Sequence, residues 1–123
     1  MQCDVCEGSG HTLVSGRTAV PGCVVGRVKI VIDPADFAGV IEGDIVVTTM
    51  TSPESTIALA RAAGVVTDRG GILCHAAIVS RELGVPCVVG TNDGTSALEN
   101  GAVVRLCATL GRVVEFPTSE EGN

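Results

Sequence analysis

Of the two histidines in the 123-residue chain, His75 sits in a pattern that could do chemistry, the stretch Thr67–Gly90, TDRGGILCHAAIVSRELGVPCVVG. A short apolar run ends in Asp68, the Gly70-Gly71 pair turns the chain, and a helical pattern begins at about Cys74-His75. His75 therefore falls in the first helical turn, where backbone N–H groups lack intrahelical partners and the macrodipole is positive. That field disfavours the imidazolium, favours a neutral nucleophilic ring, and attracts an incoming phosphoryl group. Small neighbours, Gly71 and Ala76, leave room for a bulky donor, and Arg69 before the glycines could stabilise an anion. The competing reading is a helix-start histidine satisfied by local hydrogen bonds, and spacing alone does not separate the two.

Other candidates are weaker. Arg81 follows His75 by six residues, so simple helical spacing does not put them on one face. It is read either as a contact to a phosphoryl donor or as a surface or interdomain ion pair. A Cys74–His75 nucleophilic dyad is disfavoured, because adjacent helical side chains diverge by about 100°. Near the start, Cys3 and Cys6 in CDVCEGSG resemble half of a zinc module, with His11 as a third ligand. A structural zinc needs four ligands, so no metal is expected. All six cysteines are expected to be reduced thiols, with Cys87 and Cys107 serving as small core hydrophobes, since no export signal is read.

The elements that must position these residues follow from local signals. Residues 1–15 are polar and Gly-rich and are read as a flexible segment or linker, leaving 16–117 as one domain and 118–123 as a frayed tail. Arg27–Asp33 alternates like a half-buried strand, Asp33-Pro34 starts a short helical turn that Gly39 ends, and Ile45–Met50 is a buried strand. Ser52-Pro53-Glu54 reads as a helix start, with the helix running through IALARAA to a stop at Gly64. Next come a strand at Val65–Asp68, a helix at Cys74–Leu83 closed by Gly84 and Pro86, and a strand at Cys87–Gly90. A helical turn at Ser96–Asn100 precedes Val103–Cys107 and Arg112–Phe116, which could pair across Leu110-Gly111. This order predicts an α/β domain, parallel in its middle and antiparallel at its ends.

Composition excludes several classes. Fourteen acidic against eight basic residues give a net charge of −6, and the only aromatics are Phe37 and Phe116. Both facts oppose nucleic-acid binding. No apolar run reaches the roughly 18 to 20 residues of a membrane helix, and a cytoplasmic protein is expected. No GxxxxGK phosphate loop occurs, and the scarcity of rings argues that no nucleotide base is held here.

On these residues the chain resembles the phosphohistidine domain of the phosphoenolpyruvate-utilising enzymes. This family includes phosphoenolpyruvate synthase, pyruvate phosphate dikinase and enzyme I of the sugar phosphotransferase system. The shared pattern is Gly70-Gly71, His75, Ala76-Ala77, Ile78-Val79, Ser80 and Arg81. GRTAVPGCVVGRV, IEGDIVVTTMTSPE and VVRLCATLGRVVEF are similar to the family's opening, middle and closing segments, so the likeness runs over about residues 16 to 116. RELGVPCVVG and Cys74 sit nearer the synthases and dikinases.

The resemblance implies a three-layer β/β/α swivelling domain with a central mostly parallel sheet and an antiparallel hairpin. His75 would be the transiently phosphorylated nucleophile, supported by Gly70, Gly71, Arg69, Arg81 and Thr51. Thr51 matches a family threonine that approaches the histidine, although as a strand-end hydroxyl it could instead cap the following helix. The domain would bind no cofactor of its own. Mg and ATP or phosphoenolpyruvate would belong to nucleotide-binding and phosphoenolpyruvate/pyruvate-binding partner domains, on the same or a separate chain, with an acceptor such as pyruvate. Leu73 stands where the named enzymes usually carry Thr, although rifampicin phosphotransferases carry an aliphatic residue there. The alternative is a non-catalytic, degenerate swivelling domain used for docking or regulation.

Overall fold

Val, Ile and Thr recur in short runs bounded by Gly, Asn and Pro, and these runs form the strands of the fold. The computed structural model describes residues 12–51 and 55–115. The Cys3, Cys6 and His11 segment, the expected helix start at Ser52-Pro53-Glu54, Phe116 and the tail lie outside the described residues. In chain order the elements begin with β1 (Thr12–Ser15), β2 (Arg17–Val20), β3 (Cys23–Val31), β4 (Asp44–Thr48), α1 (Thr56–Arg61) and β5 (Gly64–Thr67). They continue with α2 (His75–Leu83), β6 (Cys87–Val89), α3 (Gly94–Ala97), β7 (Val103–Cys107) and β8 (Arg112–Glu115). A 3-10 turn at Pro34–Gly39 links β3 to β4, and Asp33 caps it by accepting the Ala35 N–H while Asp36 accepts the Asp33 N–H.

The eight strands form one sheet in the order β1-β8-β7-β3-β4-β5-β6-β2. Its two outermost strands, β1 and β2, are consecutive in the chain and separated only by Gly16. A single extended segment thus pairs with β8 through its first half and with β6 through its second, closing the sheet on itself. The pivot leaves no space for a side chain: a Cβ on Gly16 would run into the Val89 carbonyl oxygen, and the Gly16 N–H donates to Gly111 O at 2.8 Å.

Alternation along the central strands builds two apolar layers. Val46, Val65, Cys87 and Val89 face α1 and α2, where they meet Ala58, Leu59, Ala76 and Ala77. Ile45, Val47, Val66 and Val88 face the other way, onto Val14, Val104, Leu106 and Val113 of the returning strands. The architecture is therefore the expected β/β/α. Val and Ala, not rings, fill the space between its layers. Phe37 packs only at the margin of the helical layer.

Four expectations change. The sheet is parallel only over β3-β4-β5-β6, and its other four pairings are antiparallel. Parallel neighbours require crossovers, and only this central block has them. Thr12–Ser15, read as the end of a linker, is strand β1, whose partner lies a hundred residues away and leaves no local trace. Gly64 opens β5 and does not end α1, which stops at Ala62 in an extended conformation. A Cβ there would strike the buried Leu106 side chain, so the glycine serves layer contact. The short helix before β7 is Gly94–Ala97, earlier than Ser96–Asn100, because Thr91 Oγ1 and Asp68 Oδ1 accept the N–H groups of Gly94 and Thr95. The helix from His75 to Leu83, its left-handed Gly84 (φ 73°) and the pairing of β7 with β8 are as expected.

Two stability measurements test this packing. Gly16→Ala should cost about 2 to 4 kcal/mol in urea unfolding, since backbone must move to admit the methyl; a near-neutral variant would remove the closure argument. Burial also pushes the Cys87 thiol from 9.0 up to about 11. A raised folded value means the thiol's contribution is complete below the ordinary value and is lost as pH rises through the folded one. Unfolding free energy should therefore decline by about 2 kcal/mol between those pH values. Cys87→Ala should flatten that decline, and an equal slope in the variant would contradict it.

Candidate active site

Parallel pairing brings the site together. Thr48 of β4 lies beside Thr67 of β5, and the two chains stay zipped past their strand ends through Asp68 N–H to Thr48 O and Arg69 N–H to Thr49 O, each 3.0 Å. The loops leaving β4 and β5 thus emerge side by side at the carboxyl edge of the parallel block, where open α/β sheets place their sites. The first loop supplies Met50 and Thr51, and the second supplies Arg69 and, after the glycine turn, Cys74 and His75.

Gly70 takes φ +103°, and a Cβ on it would lie 2.8 Å from Cys74 Sγ, so both conformation and contact require glycine there. A Cβ on Gly71 would meet open space, which leaves the approach to the loop clear. Cys74 then serves as the helix N-cap without a side-chain cap bond, and His75 is the first residue of α2. Its ring is half-buried. Thr51 Oγ1 lies 2.7 Å from His75 Nδ1. The threonine hydroxyl is thus in hydrogen-bonding contact with the histidine, and the N-cap of α1 is Ser55.

Met50, Thr51, Thr67, Arg69, Cys74 and Ala76 line a shallow cleft of about 10 Å³ around His75. This is below the roughly 300 Å³ of a pocket that encloses a small molecule. A larger groove of about 320 Å³ beside Leu13, Leu98, Glu99 and Glu115 shares no residue with it. Arg69 is exposed at the cleft with its carbonyl held by Thr67 Oγ1 at 2.6 Å. Arg81 is not brought to the ring. Its guanidinium donates to Ile72 O at 3.1 Å and Ala19 O at 3.5 Å, tying the glycine loop to α2 and β2.

One supporting group escaped the sequence reading. Asp68 is 8% exposed, and its carboxylate accepts Thr95 N–H at 2.9 Å and Thr95 O–H at 2.6 Å. The root of the histidine loop is thereby pinned to α3. Twenty-seven residues separate the pair, so no motif spacing could have signalled it. Among the described residues, no three His, Cys, Asp or Glu side chains gather to hold a metal ion, and no helix is long and apolar enough to cross a membrane.

Comparison with known proteins agrees with this geometry. The family model described as "PEP-utilising enzyme, mobile domain" matches residues 40–111. The probable phosphoenolpyruvate synthase of Archaeoglobus fulgidus is 50% identical over 109 residues, covering 89% of this chain and 14% of the relative. The phosphoenolpyruvate synthase of Pyrococcus furiosus is 50% identical over 103 residues, covering 84% and 13%. The chain spans about one-seventh of the length of these curated relatives. Among solved structures, an enzyme I NMR structure superposes with a TM-score of 0.56 at 29% identity, over 69% of this chain and 36% of that one. Aconitase X of Thermococcus kodakaraensis reaches 0.61 at 18% identity, over 84% and 97%, a likeness of fold alone. The strand-end site with His75 opening its helix, and these matches over most of the chain, lead to one assignment: the chain belongs to the family of phosphoenolpyruvate-utilising enzyme mobile domains.

Proposed function

We propose that this domain carries a phosphoryl group on His75 within a phosphoenolpyruvate-synthase-like phosphotransferase. The observation that carries the reading is the contact between Thr51 Oγ1 and His75 Nδ1. When Nδ1 holds the ring proton and donates it to Thr51, the lone pair resides on Nε2, which becomes the nucleophile. Nε2 attacks phosphorus, a P–N bond forms as the P–O bond to the leaving group breaks, and the phosphoramidate later yields the group to an acceptor such as pyruvate. The first turn of α2, uncapped by any side chain, and Arg69 at the cleft offset the arriving negative charge. Gly70 and Gly71 shape the loop, and Arg81 acts by holding that loop through Ile72 O.

The small cleft supports a division of labour. Nucleotide or phosphoenolpyruvate, with Mg, would be held by other domains and brought to this one. Exposed Met50, Ile72, Leu73 and Ile78 at and beside the histidine offer apolar surface for those domains to cover. A cytoplasmic setting, where both metabolites occur, suits this role. Leu73, 80% exposed and lacking a hydroxyl, is the feature that favours the competing reading of a docking domain without phosphorylation.

Incubation with ATP and a synthase whose own mobile domain has been removed tests the choice. Mass spectrometry under alkaline conditions should find an acid-labile phosphoryl adduct on His75 that His75→Ala lacks. No adduct with a catalytically competent partner would sink the proposal. The ring assignment has a separate check in imidazole ¹⁵N shifts. The native domain should show one tautomer with the proton on Nδ1, whereas Thr51→Val should show a mixture and lose about 1 kcal/mol of stability. Identical spectra would mean that Thr51 does not set the tautomer.

A further inference from the structure

We propose that Cys23 and Cys107 form a reversible disulfide across the β3–β7 pair, a covalent modification site independent of the histidine chemistry. The two residues face each other across the antiparallel β3–β7 pair, and their sulfurs lie 3.2 Å apart. Ala108 N–H donates to Gly22 O one register step away, so Cys23 and Cys107 occupy a non-hydrogen-bonded pair. Cα atoms in such pairs are about 4.5 Å apart, within the roughly 4.4 to 6.8 Å that a disulfide spans. The sulfurs need approach by only about 1 Å to reach bonding distance.

Exposure sets the order of events. Cys23 is exposed and Cys107 is fully buried, so an oxidant in solution meets only the first. A low-molecular-weight disulfide such as oxidised glutathione is attacked by the Cys23 thiolate, releasing one thiol and leaving a mixed disulfide. Cys107 sulfur then attacks Cys23 sulfur, displacing the second small thiol. Two protein thiols are oxidised, one small disulfide is reduced, and both protein protons end on the released thiols. The surrounding rim is already ordered for closure: Gly22 N–H donates to Thr109 Oγ1 at 2.9 Å, and Thr18 O–H to Ala108 O at 2.6 Å. The bond would join positions 84 residues apart, so it constrains a large part of the unfolded chain.

The test uses the full chain carrying Cys3→Ser and Cys6→Ser, equilibrated in glutathione buffers of graded redox ratio. Intact mass should show loss of two hydrogens, peptide mapping should join Cys23 to Cys107, and the thermal midpoint should rise by about 10 °C. Cys23→Ser, with Cys23→Ala as a second exposed-site variant, should abolish both changes. Accumulation of a glutathione adduct on Cys23 without the cross-link, a cross-link to Cys74 instead, or a midpoint unchanged or lowered by cross-linking would each overturn the proposal.

Discussion

Closure of the sheet at Gly16 is the constraint on which the other features rest. Eight short strands with almost no aromatic side chains have little volume with which to hold two layers apart or together. The chain compensates by joining the two outermost strands through one residue, so that β8 and β6 are linked by a continuous backbone segment. That arrangement gives the two outermost strands one partner each, β8 for β1 and β6 for β2. It also requires an unusually close approach at Gly16, where Val89 O and Gly111 O crowd the backbone from two sides. A single methyl is therefore felt more strongly there than at most surface glycines.

From that closed sheet the site follows by register. The four parallel strands present their carboxyl ends at one edge, and the continued pairing of Asp68 and Arg69 with Thr48 and Thr49 aligns the loops beyond. Thr51 and His75 come from different loops yet meet at 2.7 Å because both loops are anchored at their roots. Asp68, gripping Thr95, and Arg81, gripping Ile72, hold the second loop from its two ends. His75 is thus placed by its own contact with Thr51 and by anchors at both ends of its loop that do not touch it. The ring is held at Nδ1 while it stays half-buried beside a small open cleft.

Local signals made part of this legible. Gly84 in the left-handed region, Asp33 capping its turn, and the Gly70-Gly71 pair before an amphipathic run all act within a few residues, so the bounds of α2 and of the Pro34–Gly39 turn are readable. Gly64 was misread for the same reason: a glycine after a helical run looks like a stop, and its contact with Leu106 lies forty-two residues further on. Arg81 was readable as a functional candidate by pattern, but its direction depended on where the chain placed the Ile72 and Ala19 carbonyls.

The amino-acid sequence by itself determined that His75 opens a helix after a glycine turn, that small residues surround it, and that the core is built from β-branched residues. Those outcomes depend on dihedral preference and side-chain volume, which are properties of neighbours in the chain. Only the tertiary structure decided that Nδ1 meets Thr51, that Cys23 faces Cys107, and that residues 12–20 close the sheet. Each of these depends on strand register, and register is set by the sum of many distant contacts. A shift of one residue would turn the Cys23 and Thr51 partnerships away while leaving every local motif intact.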